Sequence, residues 1–116
     1  MYLNWNKCQG NVWCKLNNVD LNSTHFVDRN GVFIVWHGGV KAATVTVGHG
    51  NIKDAILHAR SDYDIQKYKF NTLYITWADV VSYQQLEVER YLINTLSPLI
   101  VPPNFVNSLI VVNLPW

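Results

Sequence analysis

The stretch that most constrains the fold is a pair of apolar runs on either side of a glycine turn. Val32-Phe33-Ile34-Val35-Trp36 is built from β-branched and aromatic residues, which suit a pleated, half-buried surface, and it stops at the turn signal His37-Gly38-Gly39. Ala43 to Val47 follows, with an alternation that puts Val45 and Val47 on one side and Thr44 and Thr46 on the other. The two runs read as a β-hairpin.

Gly48-His49-Gly50 then reads as a turn. Asn51 is a good N-cap for a helix that carries Ile52, Ala55, Ile56 and Ala59 at helical spacing and ends near Arg60. A third strand, Thr72 to Trp77, follows the polar stretch Tyr63 to Asn71. Ser82 and Gln85 have capping-box spacing and open a second helix that runs to Ser97, where Pro98 stops it. The order is strand, strand, helix, strand, helix, an α/β pattern. Val12 to Leu21 is a candidate for pairing at a sheet edge, Ser108 to Val112 for a short closing strand, and Leu114-Pro115-Trp116 for packing against the body.

Composition supports one folded domain. The chain has 116 residues, 49% hydrophobic and 15% charged, with five Trp, six Tyr and four Phe, so it has material for a core and lacks the signature of disorder. No basic stretch precedes an apolar run at the N-terminus, and no window approaches the roughly 18 apolar residues of a membrane span. The expectation is a cytoplasmic protein with no membrane partner. Cys8 and Cys14 suit either a short disulfide loop or half a metal site, but no second Cys/His pair follows at zinc-ligand spacing. In the cytosol two reduced thiols are expected. A net charge of +1 excludes the broad basic surface of a general nucleic-acid binder, so any DNA contact must use a local patch.

Two features point to chemistry. Glu89 shares its side of the second helix with Leu86, Ile93 and Leu96, which sets a carboxylate in an apolar stripe. An unpaired charge there is costly, so a cation, a metal or a hydrogen-bond set is expected beside it; Arg60 or a lysine is the plain alternative. The Gly48-His49-Gly50-Asn51 segment offers backbone N–H groups and a helix N-terminus to an anion such as phosphate. Lys53, His58 and Arg60 on the first helix are further candidate substrate contacts, with His37 and His49 near enough to join a transition-metal set.

The order and spacing of Gly31-Val32-Phe33, Val45-Thr46-Val47-Gly48, Asn51-Ile52 and Glu89-Arg90-Tyr91-Leu92-Ile93 through Leu96-Ser97-Pro98 resemble the GIY-YIG nuclease family over roughly residues 31 to 100. The resemblance implies a small three-stranded antiparallel sheet flanked by helices. It also implies hydrolysis of DNA phosphodiesters with one Mg²⁺ or Mn²⁺ ion held by Glu89. The family's two tyrosines fall at Phe33 and Thr46, its arginine at Ala55 and its histidine at Ala59, while no asparagine follows Pro98. A phenyl ring, a short hydroxyl and two methyl groups supply neither a guanidinium for phosphate nor a proton carrier. The expectation is therefore an inactive or impaired endonuclease domain, by natural divergence or by deliberate inactivation. A second expectation is a non-enzymatic module on the same fold that binds a protein partner or DNA, with Trp5, Trp13 and Trp116 as contacts.

Overall fold

A computed structural model describes residues 1–101 and 110–116. One antiparallel sheet contains β1 (Cys14–Lys15), β2 (Asn30–His37), β3 (Ala43–Asn51) and β4 (Leu73–Asp79), in the spatial order β1-β4-β2-β3. The fold is α/β as expected, but among the described residues the sheet has four strands rather than three. The extra strand falls within Val12 to Leu21, the segment expected at an edge, and it pairs Cys14 with Ile75 and Lys15 with Tyr74. Two residues are too few to show a strand periodicity.

The helices are α1 (Ile52–Ser61), α2 (Tyr63–Gln66) and α3 (Ser82–Leu96). Asn51 caps α1 as its sequence indicates, its side chain accepting the Asp54 N–H at 3.0 Å. The capping box expected at α3 does not form. Val81 occupies the cap without a side-chain bond, and the buried Gln85 amide donates to the Val80 carbonyl at 2.8 Å. At the other end Ser97 turns left-handed (φ 48°) and its N–H bonds Ile93, immediately before Pro98.

Two details of β3 depart from the sequence reading. Gly48, His49 and Gly50 are not a turn; they extend the strand, opposite Phe33, Val32 and Gly31. The register also shifts where Val35 and Trp36 face Thr46 and Thr44, leaving Val45 without an opposite residue. This bulge breaks the period of two, so Val45 joins the α1-side core while Val47 joins the α3-side core.

The sheet therefore separates two cores. On one face Val35, Val45, Leu73, Ile75 and Trp77 pack with Ile52, Ile56 and Ala59 of α1. On the other, Val32, Ile34, Val47 and Ala78 pack with Val88, Leu92 and Ile93 of α3. Each fully buried branched side chain contributes roughly 1.5 to 3 kcal/mol of transfer free energy before entropy is counted.

The N-terminal arm lies along β4, with the Asn6 N–H on Trp77 O (2.9 Å) and the Thr76 hydroxyl donating to Asn6 O (2.8 Å). Cys8 and Cys14 are joined as a disulfide, which corrects the expectation of reduced thiols. That expectation rested on compartment alone, whereas the β-bridge between Cys8 and Val12 folds the arm back and brings the two sulfurs together. At the tail, Val112 is buried and Leu114 packs on the α3-side core. Residues 110–112 form no strand, and the rest of the expected Ser108 to Val112 strand lies outside the described residues. Among the described residues no helix is long and apolar enough to cross a membrane.

Candidate functional site

β3 is an edge strand whose Thr44 and Val45 carbonyls accept from the Leu99 and Ile100 N–H groups. Beyond that pair α1 and α3, lying on opposite faces, come within reach of one cavity of about 560 Å³, which Ile100 also lines. Its walls include Phe33, Thr46, Ala55, Ala59 and Glu89, the five positions transferred from the family resemblance, although they are spread over strands and helices from residue 33 to residue 89. Thr46 pairs with Val35 and faces α1, whereas His49 pairs with Val32 and faces α3. The cavity thus wraps around the strand edge.

Gly48 forms part of the wall for a steric reason. A Cβ there would lie 2.4 Å from the Phe33 ring, so the ring covers the strand only because residue 48 has no side chain. Alanine at 55 and 59 acts similarly from the helix side. Ala59 is buried in the core and also borders the cavity, and short side chains at both positions leave the hollow unfilled.

Glu89 does not sit in the middle of the core stripe. Leu86 is 45% exposed, the buried face of α3 is Gln85, Val88, Leu92 and Ile93, and Glu89 lies at its margin with its side chain 14% exposed. Its partner is neither Arg60 nor a lysine. His49 Nδ1 stands 3.3 Å from Glu89 Oε1. The phase error is one step of the helix: Glu89 follows Val88, and a carboxylate beside a core residue can turn outward to an edge-strand histidine.

Of the candidate substrate contacts, Gly48, His49, Asn51 and His58 line the cavity. Gly50, Lys53 and Arg60 do not. Arg60 is committed to the arm, donating to Leu16 O at 2.8 Å and Val19 O at 2.6 Å. His37 is also elsewhere, buried against Tyr68 with Nδ1 2.8 Å from Gly38 O. Glu87 pairs with Arg90 on the surface, as its polar position on the helix indicates. Trp5 and Trp13 are half-buried rather than free contacts; Trp5 Nε1–H donates to Asn113 O at 2.9 Å.

The sequence reading missed Asp54 and Asp64, which join Asp62 and Glu89 in the wall. Asp54 lies four residues before His58 on one helical face, a signal that was present. His58 Nε2 is 3.4 Å from Asp62 Oδ2, and Asp62 also caps α2 by accepting from the Asp64 and Ile65 N–H groups. Four carboxylates and two histidines thus face the cavity, with no lysine or arginine among the described lining residues. No group of three His, Cys, Asp or Glu side chains is placed to hold a metal ion among the described residues. Away from the cavity, His25 is pushed below its ordinary value by burial and by the Arg29 guanidinium, with Asp79 opposing.

No family model matches the chain, and neither a curated protein nor a solved structure matches it.

Proposed function

We propose that the chain is a GIY-YIG-like domain that retains the cleft of a metal-dependent endonuclease and does not hydrolyse DNA. One observation carries this reading: the five positions that the resemblance selects, distant in sequence, border a single cavity. Loss of cleavage follows from chemistry. Phe33, Thr46, Ala55 and Ala59 offer no guanidinium to a phosphate oxygen and no group of suitable acidity to carry a proton. The carboxylates of Asp54, Asp62 and Asp64 also oppose the approach of a phosphodiester.

Glu89 is the residue that would hold Mg²⁺ or Mn²⁺. A single carboxylate suits Mg²⁺, which keeps several waters, but Glu89 must first release His49, and no third protein donor is placed beside them among the described residues. Metal held there would polarise a phosphodiester oxygen and lower the pKa of a bound water. Phe33 would exclude water from one wall.

The test is nicking of supercoiled plasmid with Mg²⁺ or Mn²⁺. The expected result is no cleavage above the Glu89→Ala background for the natural chain, and metal-dependent nicking by a variant combining Phe33→Tyr, Ala55→Arg and Ala59→His. Metal-dependent cleavage by the natural chain sinks the non-hydrolytic reading. If the restored variant folds but neither cuts nor binds DNA, and Glu89→Ala leaves metal binding unchanged, the nuclease ancestry fails as well. The acidic lining favours a second reading, a module for a protein partner. A stable protein complex without salt-sensitive DNA binding supports it.

A further inference from the structure

A second cavity, of about 510 Å³, lies on the α3 side at the far end of the β2–β3 hairpin, bounded by Trp36, Ala43, Thr44, Leu96, Ser97 and Trp116. We infer that it is a binding site for a neutral carbohydrate, with the indoles of Trp36 and Trp116 as the stacking surface and the hydroxyls of Thr44 and Ser97 as hydrogen-bonding groups. The inference is independent of the nuclease-like cleft and would survive its failure.

Its size is within the roughly 300 to 1,000 Å³ of small-molecule sites, which are mostly apolar with a few placed polar groups. Its walls are fixed in advance. Trp36 stacks on its cross-strand partner Tyr74 (centroids 5.6 Å, interplanar 21°) and meets Trp13 and Trp116 edge-on at 5.3 and 5.2 Å. Lys7 lies 4.4 Å from the Trp13 ring centre and backs this cluster. Trp116 remains 58% exposed although three of these rings hold together, so an indole is kept at the surface in a set position. Such preorganisation lowers the entropy cost of binding.

Three properties choose the ligand class. An indole face is electron-rich and attracts the weakly positive C–H edge of another group, which the axial C–H face of a pyranose supplies. Neither the Thr44 nor the Ser97 hydroxyl has a hydrogen-bond partner among the described residues, so each has capacity for a sugar hydroxyl. Among the described residues no charged side chain borders the cavity, which disfavours an anionic ligand whose charge would lie unpaired against indole and methyl groups. A purely apolar ligand would leave both hydroxyls uncompensated; a phosphate-bearing nucleotide would find no cation.

The experiment is calorimetric titration of the full chain with maltohexaose, cellohexaose and chitohexaose to about 10 mM, near the weak end of measurable affinity. Two-dimensional NMR of the indole N–H groups reports the location. Saturable binding of at least one of these neutral oligosaccharides is expected, with shifts at Trp36 and Trp116. Trp116→Ala should weaken it at least about tenfold, and Thr44→Val, which keeps the branched shape and removes the hydroxyl, about three- to tenfold. Near-UV circular dichroism verifies that each variant is folded, and Thr44→Val still tests the site if Trp116→Ala is not. Absence of saturable binding to all three oligosaccharides overturns the proposal, as does binding that both variants leave unchanged. Tighter binding of a thymidine oligonucleotide, lost in Trp116→Ala, overturns it in favour of base stacking.

Discussion

The two helices that cover the sheet meet it with different surfaces. α3 lays Val88, Leu92 and Ile93 on Val32, Ile34 and Val47, and branched side chains fill the space between helix and strands. α1 buries Ile52 and Ile56 equally well, but at Ala55 and Ala59 it offers single methyl groups, and there a cavity of about 560 Å³ opens. Beside the sheet centre the contact is closed along Val88, Leu92 and Ile93 and open at Ala55 and Ala59. Under the proposed nuclease-like reading, the two alanines that supply no catalytic group are also the two that leave room for the cleft.

The largest effect should come from β2, which both faces share. A Cβ on Gly31 would lie 1.9 Å from the Ala78 carbonyl oxygen on the neighbouring strand, and no rotamer relieves a clash between Cβ and backbone. Gly31→Ala should cost about 3 kcal/mol or more, or prevent folding altogether. It should loosen both cores together, and a loss confined to one face in hydrogen exchange would show that the sheet does not couple them.

The comparison sharpens with one deletion on each face. Ile56 and Leu92 are both fully buried. Truncation of either to alanine should cost about 2 to 5 kcal/mol in chemical denaturation. Leu92→Ala should be the more damaging, because the neighbours of Ile56 border open space and have room to relax. The reverse order would mean that the cleft wall is as rigid as the closed face.

Legibility in the sequence followed the range of the interactions concerned. Asn51 was readable as a cap because its partner, Asp54, is three residues away. The hairpin was readable from local pattern, but the bulge at Val45 was not, because it depends on what stands opposite in β2. Gly48-His49-Gly50 has turn composition and lies in a strand because β2 supplies the ladder and Phe33 occupies the space a side chain would take. Gln85 looked like half of a capping box and instead turns into the structure to bond Val80. In the site, Glu89 was found for a reason that proved wrong in detail, since the stripe it was assigned to contains the exposed Leu86. The His49–Glu89 contact joins an edge strand to a helix on the opposite face from α1, and no periodicity within either element reveals it.

The disulfide gives a smaller, local prediction. It belongs to the α1 side, where Cys14, Leu16 and Leu21 of the arm enter the core. With a separation of six residues, the chain-entropy argument gives about 2 kcal/mol for the crosslink. Cys8→Ser with Cys14→Ser should lower stability by about that amount and speed amide exchange at Asn6 and Leu16, while α3 is unchanged. Alkylation of the natural, unreduced protein under denaturing conditions should label no thiol. Two labelled cysteines in that experiment would show that the arm is held by its hydrogen bonds alone.

The smallest effect should be a pH dependence centred on His25, also on the α1 side. Trp77 Nε1–H donates to His25 Nε2 at 3.0 Å, which requires that nitrogen to be unprotonated, and Arg29 approaches Nδ1 at 3.3 Å while it pairs with Asp79. Burial first, and then the Arg29 charge, lowers the pKa from its ordinary value of 6.5, against the opposing influence of Asp79. The unfolded chain therefore takes up the proton at higher pH than the folded one. Stability contributed by His25 is complete above 6.5, declines as pH falls below that value, and levels off once pH passes the lower folded-state value. His25→Asn should flatten this part of the profile in denaturation series at several pH values, and Leu92→Ala, on the opposite face, should shift the profile down without changing its shape. A decline of equal steepness in His25→Asn would show that His25 does not govern this part of the profile.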